Sequence, residues 1–272
     1  MNHATAYPGY QATEVTVDRR IATIRLNRPE HGNSIDDTMH SELTRIFRDI
    51  QAHEGTRAAV LTGAGSSFCM GGDSSPTRTF TTLTGVTPIE EARMIVESLL
   101  DLDKPLVCAV NGDALGLGAI LASLADVAFI ERSAHIGDRH VAGGVTAGNG
   151  SAALWPAIIG LNRAKFLLMN AELLTAEEAC RLGLVHEVVD DGTSLQAALA
   201  LATRWAELPQ FALRSTKSVL NAHLRTAAAV ALRYGLALEE QAMAGPEFQS
   251  ALAARRAEQL TPTRQNDADE RN

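Results

Sequence analysis

The chain has 272 residues and 29.0 kDa, 46% hydrophobic and 21% charged, which is enough to bury the core of one full-sized domain and excludes disordered, collagen-like and coiled-coil classes. Its 24 basic and 32 acidic side chains give a net charge of −8 with no basic tract, so nucleic acid is not an expected partner. Cys69, Cys108 and Cys180 are an odd number at spacings that fit neither a metal knuckle nor a disulfide framework, so no metal is expected and a cytoplasmic location is the reading. The polar, proline-broken opening MNHATAYPGYQATEV does not read as a signal peptide, and no apolar run approaches the ~20 residues of a membrane span.

In chain order, VTVDRRIATIRL alternates apolar and polar residues around a charged turn at Asp18–Arg20 and predicts a hairpin. Behind the acidic pair Asp36–Asp37, the residues Met39, Leu43, Ile46, Phe47 and Ile50 recur at helical spacing and predict an amphipathic helix. A buried strand over 57–61 runs into the glycine-bearing TGAGSSFCMGGD, and a second strand, PLVCAVNG, runs into DALGLGAILASLADVAFI. Two such units predict a layered α/β core with loops gathered at one edge. The stretch 74–87 is rich in Ser, Thr and Pro, lacks periodicity and reads as a loop over the site. From Leu161 onward the pattern is almost wholly helical, with Thr175 and Glu178 forming a capping box. The expected division is a core over 12–200, a helical oligomerisation region over 201–260, and flexible tails at 1–11 and 261–272.

Five ordered segments, LNRPEHGNSIDDTMHSEL, VLTGAGSSFCMGGD, KPLVCAVNGDALGLGAIL, DVAFIERSAHIGDRHVAGGVTAG and NRAKFLLMNAELLTAEEACRLGLVHEVV, together resemble the crotonase (enoyl-CoA hydratase/isomerase) superfamily. That resemblance implies an α/β core of ββα turns wound in a spiral, a helical C-terminal trimerisation region, and a homotrimer or a dimer of trimers. It also implies an acyl-CoA thioester as substrate, no required cofactor, and an oxyanion held by two backbone N–H groups, which fall here on Gly72 and Leu117. Charge developing on a carbonyl oxygen needs fixed donors in a dry site, and glycines at 71, 72, 116 and 118 let backbone approach a ligand without a Cβ in the way.

The sequence departs from the hydratase pattern where that pattern has its two catalytic glutamates. Those positions hold Ile120 and His140. Isoleucine transfers no proton, which argues against simple hydration, whereas an imidazole with an ordinary pKa of ~6.5 can serve as a base near neutrality. A branch of the superfamily, 6-oxocamphor hydrolase, is similar in GDRHVAGGVTAGNGSAALWPAIIG. The similarity implies catalytic roles for His140, Asn149 (an aspartate in that enzyme), His40 and Glu239, with Asp138 as a further candidate to orient His140. On the residues alone, Glu239 in LALEEQAM reads as part of a solvated helix face. For the phosphates of CoA the candidates are Arg28, Arg78, and Arg255 or Arg256 reaching from another subunit's tail. The expectation is an enolate-stabilising acyl-CoA enzyme. Its rivals are a β-diketone hydrolase that cleaves a C–C bond using His140, and a non-catalytic binding protein of the same fold.

Overall fold

The computed structural model describes residue 7, residues 9–75 and residues 77–260. The predicted hairpin is β1 (Thr13–Asp18) and β2 (Ile21–Leu26), paired antiparallel from Thr13 opposite Leu26 to Asp18 opposite Ile21. Arg19 and Arg20 turn the chain with φ of 46° and 69°, the left-handed backbone a two-residue hairpin loop needs. Asp36 caps α1 (Asp37–Ala52) by accepting the Met39 N–H at 2.8 Å, and the predicted stripe from Met39 to Ile50 is buried. After β3 (Ala58–Gly63) come the first glycine segment and the loop, in which no helix or strand forms among the described residues, and then α2 (Pro88–Asp101), capped by Thr87.

The second unit is β4 (Leu106–Val110), β5 (Ala114–Leu115) and α3 (Leu117–Leu124), followed by β6 (Val127–Glu131), β7 (His135–Gly137), α4 (Ser151–Ile159) and α5 (Leu161–Asn170). The remainder is less uniformly helical than its pattern predicts. Two short strands, β8 (Leu173–Thr175) and β9 (Glu187–Val189), flank α6 (Ala176–Leu182), whose Thr175–Glu178 capping box forms as expected. Three-residue strands leave no readable alternation, so only their pairing defines them. Next come α7 (Ser194–Glu207), α8 (Gln210–Ala244) and α9 (Pro246–Leu260). The segments FALRSTKSVLNAHL and AAAVALRYGLALEEQAMA, read separately, are one 35-residue helix.

Six strands form the main sheet in the order β1-β2-β3-β4-β6-β9, parallel except for the hairpin, and β5-β7-β8 form a smaller one. Helix α7 lays Ala198, Ala202 and Ala206 on Val60, Val107 and Ala109, small side chains that let helix and sheet approach closely. A boundary at 200/201 would therefore cut through a helix that belongs to the sheet; the change of architecture falls between α7 and α8. The described residues before β1 are not a loose tail either: the Tyr10 hydroxyl donates to Asp49 at 2.6 Å, and the Arg45 guanidinium stacks 4.0 Å over the Tyr10 ring. The rest of the expected tails, 1–6, residue 8 and 261–272, lies outside the described residues. No helix among the described residues is long and apolar enough to cross a membrane.

Candidate active site

The two glycine segments meet edge to edge. Cys69 accepts the Leu115 N–H at 2.8 Å and donates its own N–H to Asp113 at 3.0 Å, and a Cβ on Gly71 would lie 3.1 Å from the Leu115 carbonyl. Gly116, at φ 53°, ends β5 and starts α3, so Leu117 is the first helical residue, where a backbone N–H has no carbonyl of its own turn to reach. Among the described residues, neither the Gly72 nor the Leu117 N–H donates to a protein acceptor. Both residues border one cavity of about 790 Å³.

His140, His40, Glu239 and Asn149 border that same cavity from three parts of the chain, the segment between β7 and α4, helix α1 and helix α8. The ring of His140 lies against the second glycine segment, its Cε1 3.4 Å from where a Cβ on Gly116 would stand. Its Nδ1 bonds the Oδ1 of Asp138, a fully buried carboxylate whose other oxygen accepts the Ser151 hydroxyl. Of the two candidates to orient the ring, Asp138 thus takes Nδ1, while the Asn149 Nδ2 lies 3.2 Å from Nε2. The Asn149 Oδ1 is buried without a partner among the described residues. A neutral ring accepts from that amide as it stands; an imidazolium, with both nitrogens donating, is met once the amide turns over and offers Oδ1.

Burial pulls the His140 pKa down, but the charge and hydrogen bond of Asp138, with a contribution from Glu239, more than reverse this and raise it to about 9. A value there keeps the ring protonated at neutral pH, where a free imidazole is mostly neutral. The solvated reading of Glu239 is also corrected: only 6% exposed, it continues the buried stripe Ala228, Leu232, Leu236 along α8. Burial raises its pKa most, His140 lowers it in part, and the result is about 7. One carboxylate oxygen, Oε2, is buried without a partner among the described residues.

His40 projects from α1, and its Nδ1 is 2.6 Å from the Oε2 of Glu91, a residue sequence reasoning missed. An acidic residue in the first turn of a helix is ordinary macrodipole chemistry, so nothing local distinguished Glu91. Ile120, where the hydratase pattern has a glutamate, is buried in the core with its Cγ2 3.1 Å from where a Cβ on Gly150 would lie.

The arginine candidates separate. Arg28 is tied down, its Nη2 3.0 Å from Asp73, its Nε 3.2 Å from Asp36 and its Nη1 bonding the Ser34 carbonyl. Arg255 borders the cavity of its own chain beside Gly143, whereas Arg256 donates to the Arg78 carbonyl of its own chain at 3.0 Å. Arg78 borders the cavity, stacked 4.4 Å over Phe80. Arg139, not singled out from the sequence, is an exposed cation at the same rim.

A fold of this topology, with two glycine segments meeting at such a cavity, defines an enzyme class rather than one reaction. A profile of the enoyl-CoA hydratase/isomerase family matches residues 16–262, and the chain belongs to that family, the crotonase superfamily. It is 35% identical over 210 residues to the 1,2-epoxyphenylacetyl-CoA isomerase of Escherichia coli, covering 75% of this chain and 80% of that one. It is 34% identical over 203 residues to the (E)-benzylidenesuccinyl-CoA hydratase of Thauera aromatica, covering 74% and 78%. Among solved structures, an enoyl-CoA hydratase/isomerase from Mycobacterium paratuberculosis superposes with a TM-score of 0.86 at 36% identity, covering 91% of this chain and all of that one.

Proposed function

We propose that this protein stabilises the enolate of an acyl-CoA thioester, with the Gly72 and Leu117 N–H groups donating to the thioester oxygen and His140 and Glu239 moving the proton. The observation that carries this reading is that two uncommitted backbone donors and two titratable side chains of opposite charge border one cavity. Fixed donors of this kind typically supply ~10²–10³ in rate each, and the N-terminus of α3 adds its positive dipole end at Leu117. In the carboxylate form Glu239 accepts the Cα proton, and the His140 imidazolium returns one, at the same carbon or another. A pair tuned to about 7 and about 9 suits that exchange. The relatives named for CoA thioesters support the substrate class. With Ile120 in place of a water-orienting acid, isomerisation or proton exchange fits better than hydration. Arg255 and Arg139 at the rim are the proposed contacts for the phosphates; the bonds of Arg28, Arg256 and Arg78, the last paired with Asp37 at 3.4 Å and donating to the Asp73 carbonyl at 3.1 Å, leave them less suited.

Incubating the enzyme with butyryl-CoA and other short acyl-CoAs in D2O tests this by mass spectrometry. Deuterium entering at Cα is the expected result. No exchange in any thioester would remove the enolate reading.

A second reading, hydrolytic cleavage of a β-diketone without CoA, is favoured by the gathering of His40, His140 and Glu239 in the cavity. Ring opening of a cyclic diketone, with no thermal stabilisation by CoA, would establish it over the first.

A further inference from the structure

Glu91 is completely buried, and its carboxylate takes His40 Nδ1 at 2.6 Å on one oxygen and the hydroxyls of Ser41 at 2.6 Å and Thr84 at 2.7 Å on the other. Ser41 in turn accepts the Leu83 N–H at 2.9 Å, which commits its own proton to Glu91. A carboxylate withdrawn from water is tolerated only when its lone pairs are met. Burial pushes Glu91 up, but His40, Ser41 and Thr84 outweigh it and hold the group below its ordinary range. An ionised Glu91 accepts only, which fixes a proton on Nδ1 and leaves Nε2 as the working nitrogen of the His40 ring.

His40 borders the cavity, and among the described residues its Nε2 has no partner. Ile89 and Ala92, from the same helix as Glu91, border that cavity as well. If the wall needed only packing, a leucine at 40 would supply it without a desolvated carboxylate behind. From this geometry we infer that the His40 ring, positioned by Glu91, is a subsite for a second oxygen of the substrate, so that the acyl group carries an oxo or hydroxyl substituent besides the carbonyl that meets Gly72 and Leu117. The inference deepens the acyl-CoA reading and rests on it for the thioester half. Nε2 accepts from a hydroxyl when the ring is neutral and donates to an oxo oxygen when it carries a second proton. Glu91 touches no substrate here; it is a positioning residue.

Calorimetric titration of the full-length enzyme with three four-carbon thioesters, butyryl-CoA, acetoacetyl-CoA and 3-hydroxybutyryl-CoA, tests the subsite. The ratio of affinities is the readout, because general loosening of the site weakens all three alike. At least one oxygenated thioester should bind ~10-fold or more tighter than butyryl-CoA, the worth of a hydrogen bond to a polarised group. That ratio should fall to near one in His40→Leu and shrink at least ~3-fold in Glu91→Gln. Should Glu91→Gln fail to fold, Thr84→Val removes one support of the carboxylate and should shrink the ratio in the same direction. Equal affinities in the wild type, or a preference that survives His40→Leu, would overturn the subsite. If no thioester binds, it is the CoA reading that falls; cyclohexane-1,3-dione against cyclohexanone then gives the same contrast, and equal affinities there overturn the subsite independently.

Discussion

A histidine clasped between a buried aspartate and a buried amide is a different acid from a free imidazole, and the chemistry proposed for His140 follows from that. Because Asp138 raises it to about 9 and burial raises Glu239 to about 7, kcat/KM should rise through about 7, as Glu239 ionises, and fall through about 9, as His140 loses its proton. Replacing Glu239 by Gln should lower Cα–deuterium exchange ~10²-fold or more and remove the acidic limb from the pH profile of the rate that remains. His140→Ala should lower exchange ~10²-fold or more without loss of the folded state; unchanged exchange would take His140 out of the mechanism. Stability carries the same sign. The folded pKa of His140 lies above its ordinary 6.5, so its stabilising contribution is complete below about 6.5 and is lost as pH climbs through about 9. The Tm of the wild type should thus fall between pH 6.5 and 9.5 by more than that of His140→Ala, and parallel melting curves would contradict the pairing.

Between elements, the site is closed by a near contact of two glycines. Gly148, in the loop after β7, lies so near Gly235 of α8 that a Cβ added to it would stand 2.1 Å from the Gly235 carbonyl oxygen and 3.1 Å from the Glu239 Cβ. That approach brings a carboxylate from residue 239 beside an imidazole from residue 140. Gly148→Ala should displace α8, cost ~1–3 kcal/mol by overpacking, and move the acidic limb of the pH profile toward an ordinary carboxylate value as Glu239 gains water. A thermal melt and the same exchange profile check both halves. The loop 74–87 is held in the same manner from two sides: Asp37 of α1 accepts the Thr79 N–H at 3.1 Å, and Phe80 meets Phe248 of α9 edge-on at 6.2 Å.

For the molecule as a whole, the single chain leaves large apolar side chains uncovered, with Phe211 87% exposed, Val230 79% and Met169 73%. Side chains of this size and exposure are the candidates for the contact between copies that the family resemblance implies. Light scattering on a sizing column should give three, or twice three, times the 29.0 kDa of one chain, and Phe211→Asp combined with Val230→Asp should lower that mass. A monomer in the wild type would contradict the expected trimer.

What could be read from the chain before any coordinates were those features whose cause is local. Alternation around Asp18–Arg20 made a hairpin, the spacing from Met39 to Ile50 made a helix, and the Thr175–Glu178 box capped another, because each rests on neighbours within a few residues. The family and the glycine pair were equally legible, since five motifs in order carry their own context. Pairing across the chain was not. Three-residue strands such as β8 and β9 exist only through their partners, and the burial of Glu239 depended on α8 passing beneath a loop some ninety residues earlier in the chain. The same holds for Glu91. Its acidity in a helix's first turn is commonplace in sequence, and only the packing of α2 against α1 puts its charge behind His40. A residue type is written in the chain, but the dielectric and the partners that set its proton affinity are supplied by segments far from it, and those are decided by the tertiary structure alone.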